Sequence, residues 1–74
     1  MASSIKLLDV VALTEDMPHT DLVRGQVGTV VEGPGPETFE VELTDDNGQT
    51  YALVPLHASQ LIVLHYRSHS FKGL

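Results

Sequence analysis

The chain has 74 residues and no cysteine, so it makes one small domain with a thin core and has neither a disulfide framework nor thiolate chemistry. Ten acidic residues stand against four Lys and Arg, a formal net charge of −6, and 42% of the residues are hydrophobic; such a chain folds, and its charge repels nucleic-acid phosphates and anionic lipid head groups. Arg67 and Lys72 lie in the last eight residues, so residues 1–66 keep Lys6 and Arg24 against all ten acids, a net of −8.

The opening stretch MASSIKLLDVV is interrupted by Asp9 before it reaches the length of a signal-peptide apolar segment. The apolar run Leu61–Leu64 is far too short to span a membrane. The expectation is a soluble cytoplasmic protein without membrane association. Prolines at 18, 34, 36 and 55 and glycines at 25, 28, 33, 35 and 48 break the chain too often for long helices, and the pieces between them are rich in Val, Thr and Leu, as in small all-β folds.

The first predicted strand runs from Leu7 to Thr14, with Val11 and Leu13 on one side and Val10 and Ala12 on the other. A polar loop, residues 14–22, surrounds Pro18. The second strand, Gly25 to Glu32, is apolar on both faces, so its pattern does not choose an inner side. GPGP at 33–36 is expected to end it, because proline donates no ladder hydrogen bond. In the third strand Phe39, Val41 and Leu43 alternate with Thr38, Glu40, Glu42 and Thr44, a half-buried pattern.

DDNG and a fourth strand, Gln49 to Val54, follow. A three-residue loop, Asp46-Asn47-Gly48, with Gly48 left-handed sets Asp45 against Gln49, Leu43 against Tyr51 and Val41 against Leu53. A two-residue Asn-Gly loop would oppose Leu43 to Ala52 and Glu42 to Leu53 and mix the faces. The longer loop is therefore predicted, with Tyr51 and Leu53 in the core and Tyr66 closing it. Pro55 is expected to end this strand, PLHAS at 55–59 to form one tight helical turn, and Leu61 to His65 to form the last strand. The layout is that of a small SH3-like five-stranded barrel with one short 3-10 turn before the last strand. Residues 1–66 form this domain and residues 67–74 a loosely ordered tail.

The segments DVVALTEDMP, LVRGQVGTVVE, FEVEL, DDNGQTYAL and LIVLHY resemble, in that order, a small bacterial family, the domain of unknown function 4926, over about residues 5–66. At His19 to Asp21 the loop departs from the family's glycine-containing form. GQVGTVV is also similar to the bend of KOW-type SH3-like domains. The family resemblance implies a compact β barrel with no assigned activity. It also suggests association with the product of a neighbouring gene, as in a toxin–antitoxin or subunit pair.

Chemistry-bearing sets are sparse. His65 and His69 share a four-residue spacing, but zinc needs at least three protein ligands, and His57 would have to join them. Glu40 and Glu42 share the wet face of one strand, and no apolar pocket separates their acidities as catalysis requires. Ser59 lies near His57, yet the strand-to-helix elbow of a nucleophilic serine is missing, as are the glycine-rich phosphate loops. No enzyme, cofactor or metal is expected. The expected function is that of a small acidic protein-interaction module, antitoxin-like or an accessory subunit, meeting a partner with a cationic surface. Glu15, Asp16, His19 and Asp21 of the long loop and Asp45 and Asp46 of the hairpin are the candidate contacts. A KOW-like RNA- or ribosome-associated module is the alternative, disfavoured by the charge and by the shortage of exposed stacking aromatics. A homodimer through Leu61–Leu64 with Phe71 and Leu74 is a further expectation.

Overall fold

A computed structural model describes residues 5–65. Five strands make one antiparallel sheet: β1 (Val10–Leu13), β2 (Val27–Gly35), β3 (Thr38–Thr44), β4 (Thr50–His57) and β5 (Leu61–Val63), in the spatial order β4-β3-β2-β1-β5. Two short 3-10 helices, η1 (Pro18–Thr20) and η2 (Ala58–Gln60), lie in the connections. The all-β, five-strand expectation holds, and so does the tight turn before the last strand. The expected closure into a barrel is not made, because β4 and β5 remain opposite edges of one open sheet. The sheet is nevertheless strongly curled. Laid flat, its edges would lie about 19 Å apart, whereas the four residue steps from His57 to Leu61 reach no further than about 14 Å.

The curled inner face holds the core: Val11, Leu13, Val30, Phe39, Val41, Leu43, Leu56 and Leu61, joined by Leu22 from the long loop. In β2 the inner side is that of Gly28 and Val30. Gly28 faces Val11 on one neighbour and Leu43 on the other. A Cβ there would come within 2.7 Å of the Glu42 carbonyl oxygen, a Val41 methyl and a Leu43 methyl.

The β3–β4 hairpin has the predicted loop but a different register. Asp45 N–H donates to Gln49 O (2.9 Å), Gly48 N–H donates to Asp45 O (3.0 Å), and Gly48 takes φ +79°. Thr44 then pairs with Thr50, but Leu43 pairs with Ala52, so Tyr51 is an extra residue in a β-bulge. Beyond it every side chain changes face. The inward pairs are Leu43–Ala52, Val41–Val54 and Phe39–Leu56, not Leu43–Tyr51 and Val41–Leu53. The unbulged register would turn the Tyr51 hydroxyl and the Pro55 ring toward the core. With the bulge, Leu56 fills that space and Tyr51 and Leu53 are exposed.

Two proline expectations are also corrected. β2 runs through Pro34 to Gly35, and Pro34 falls within a register shift between Glu32 and Gly35. β4 runs through Pro55 to His57, displacing the helical turn from 55–59 to 58–60. An edge strand tolerates proline because one side of it needs no ladder hydrogen bond. β5 ends at Val63, two residues before the predicted limit. Tyr66 and the 67–74 tail lie outside the described residues.

Before β1, Lys6 to Asp9 form a tight turn: Asp9 N–H donates to Lys6 O (3.1 Å) and Lys6 N–H to Asp9 Oδ2 (2.9 Å). Leu8, in that turn, holds φ +71° and is 75% exposed. A branched apolar residue is strained there and gains nothing from burial.

Two stability outcomes follow from these positions. Gly28→Ala is expected to lower unfolding free energy by about 1–3 kcal/mol, since backbone and two buried side chains cannot all give way; an unchanged urea midpoint would refute the close approach. Leu8→Asn should raise stability by about 0.5–1 kcal/mol through relief of the left-handed strain, read as a higher thermal midpoint.

Candidate functional site

The long connection between β1 and β2 carries four of the six candidate residues, and its backbone is fastened at several points. Met17 and Leu22 form a bridge, with Met17 N–H donating to Leu22 O (2.8 Å), and the buried Leu22 side chain anchors the loop to the core. Pro18 starts η1, where a missing N–H costs nothing. Asp21 ends η1 in the left-handed region at φ +60°, the conformation for which glycine is the default. Aspartate is one of the few other residues that adopts it readily. Asp16 Oδ1 accepts the Arg24 N–H (2.9 Å), and Gly25 N–H returns to Leu13 O (2.8 Å). Thr14 bonds η2 twice, through its N–H to Gln60 O (2.9 Å) and its hydroxyl to Ser59 O (3.2 Å).

The hairpin loop supplies the other two candidates. Asp45 Oδ1 accepts the N–H groups of Asn47 (2.9 Å) and Gln49 (3.0 Å), so this carboxylate holds the turn. Asp46 lies exposed at the tip. Both loops lie at one end of the sheet, because Leu13, Val27, Thr44 and Thr50 all terminate their strands there. Gln26 Nε2 donates to the Tyr51 hydroxyl and joins the base of one loop to the bulge beside the other.

The six candidates therefore divide by task. Asp16 and Asp45 spend an oxygen each on backbone donors. Glu15 is touched only at long range, by Gln60 Nε2 at 3.4 Å. Glu15, His19, Asp21 and Asp46 are exposed. What this end of the molecule can do chemically is present several carboxylates on a pre-ordered frame.

The histidine and serine of η2 act locally. Ser59 N–H donates to His57 Nδ1 (3.0 Å), and Gln60 Oε1 accepts the His57 N–H (2.9 Å), a reciprocal helix cap. Ser59 Oγ lies 2.9 Å from the same Nδ1, the reach of a nucleophile–base pair. That nitrogen already accepts a backbone N–H, and the whole contact falls within a single exposed turn. Among the described residues no three His, Asp or Glu side chains gather as metal ligands, and no helix is long and apolar enough to cross a membrane. His69 lies outside the described residues.

A family model described as a domain of unknown function, DUF4926, matches residues 7–63. The chain belongs to this family. No curated protein and no solved structure matches it. The region shared with the DUF4926 family runs from the Leu7–Leu8 turn to the end of β5, and so includes both acidic loops.

Sequence reasoning overlooked a second surface feature. Val27, Leu53 and Ile62 are large, apolar and exposed on the outer side of the sheet, and Tyr51 is exposed at the bulge. The two-faced apolar pattern of GQVGTVVE was the available signal for Val27; Tyr51 and Leu53 were hidden by the bulge.

The division among the acids can be measured. Asp45→Ala should cost about 1–2 kcal/mol, because two turn N–H groups lose their acceptor. Asp46→Ala one residue later should stay within about 0.5 kcal/mol of the parent. Equal effects in parallel denaturation curves would contradict the assigned roles.

Proposed function

We propose that this domain is a small protein-interaction module that binds, without catalysis, a partner surface bearing Lys and Arg, as an antitoxin-like or accessory subunit. The observation that carries the reading is the display of Glu15, Asp21 and Asp46 on two fastened loops at one end of the sheet. Loops held by Leu22, Asp16 and Asp45 lose little conformational freedom on binding. The excess of acids over Lys6 and Arg24 extends the attraction beyond the contact itself and would speed encounter with a cationic partner. Each exposed ion pair contributes only about 0.2–1 kcal/mol, so several acids must act together. The same charge weighs against the RNA-associated alternative, whose phosphates it would repel.

The test compares the tagged parent with the Glu15→Lys/Asp46→Lys double variant in capture from the native host. The parent is expected to retain a stoichiometric protein whose association slows as salt is raised. The variant should lose it while keeping the parental unfolding midpoint. Equal capture by both, or capture of RNA at low salt in place of protein, would overturn the reading.

A further inference from the structure

The outer face of the sheet is unusual for a surface this acidic. Across it runs one row of neighbours, Ile62–Ala12–Val27, and beside it a second, Val10–Thr29–Glu42–Leu53, which Leu64 extends through its N–H bond to Val10 O. Ile62 is 55% exposed, Leu53 58% and Val27 44%. The acids on this face are poorly matched. Glu32 stands directly opposite Glu40, and Glu40 Oε1 is shielded from solvent with no hydrogen-bond partner. Opposed like charges and an unpaired shielded oxygen both cost free energy. An occupant combining apolar side chains with cations would offset the opposed charges and cover the exposed apolar residues.

The chain supplies such an occupant. It leaves the sheet at His65, immediately after Leu64, at the edge of this face. The next nine residues, YRSHSFKGL, carry Tyr66, Phe71 and Leu74 together with Arg67 and Lys72, and no acid. Extended, nine residues reach about 30 Å, further than the roughly 19 Å width of five strands. A second copy would bring another net charge of −6 onto Glu32, Glu40 and Glu42, whereas this segment brings the opposite sign. Its tether also gives it an effective concentration on the order of millimolar. We infer that the outer sheet face is the docking site of the chain's own residues 66–74, apolar side chains over Val27, Leu53 and Ile62 and cations toward Glu40 and Glu42. This face is a different surface from the acidic loops.

Because the chain has no cysteine, Ser68→Cys creates a single attachment point for a nitroxide in the full-length protein. Amide signals of Ala12, Val27, Glu42 and Leu53 are expected to lose intensity, and to regain it when Arg67→Glu, Phe71→Ser and Lys72→Glu are added. Attenuation confined to residues next to the label would overturn the inference. So would attenuation that appears between labelled and unlabelled molecules in a mixed sample, which would make a second copy the occupant.

Discussion

β4 and β5 occupy opposite edges of the sheet, yet only Ala58, Ser59 and Gln60 separate them along the chain. That short crossing is possible only if the sheet rolls up, and the other irregularities serve the roll. Gly28 lets β2 approach β3 without a side chain between them. Register shifts in β2 and at Tyr51 let the strands bend. The bulge in turn decides that Leu56 fills the interior while Tyr51 and Leu53 stay outside. The exposed apolar outer face is thus a by-product of how a small sheet encloses its core.

The polar chemistry follows a similar economy. With no buried polar side chain among the described residues, carboxylates and amides are used where loops leave backbone donors unmatched: Asp9, Asp16, Asp45 and Gln60 each satisfy a nearby N–H. Loop order therefore comes from the same residue type that gives the molecule its charge. Of the acids not engaged in this way, Glu15, Asp21 and Asp46 form the proposed recognition surface.

Where a side chain's period was unambiguous, the sequence read correctly. Phe39, Val41 and Leu43 alternate without exception and are buried, and Asp-Asp-Asn-Gly specified its loop through the left-handed glycine. The hairpin register did not follow from that loop, because a bulge leaves no mark in the alternation of TYALVPLH; both registers place apolar residues inward. Pro34 and Pro55 read as strand ends in one dimension, where neither the register shift that holds the one nor the sheet edge that holds the other is visible. Leu22 looked like loop because its burial depends on a fold made elsewhere. Among the candidate contacts, exposure of Glu15, Asp21 and Asp46 was legible from polarity, whereas the structural duties of Asp16 and Asp45 required the backbone geometry.

The presence of Pro55 on β4 has a bearing on how copies of this protein meet one another in a crowded cell. A free strand edge invites a neighbouring chain to add itself as another strand, and from there to aggregate. Here the ring removes a donor partway along that edge, and the Tyr51 bulge twists the edge near its start. Growth by strand addition is hindered at the β4 edge, so association on that side falls to side chains.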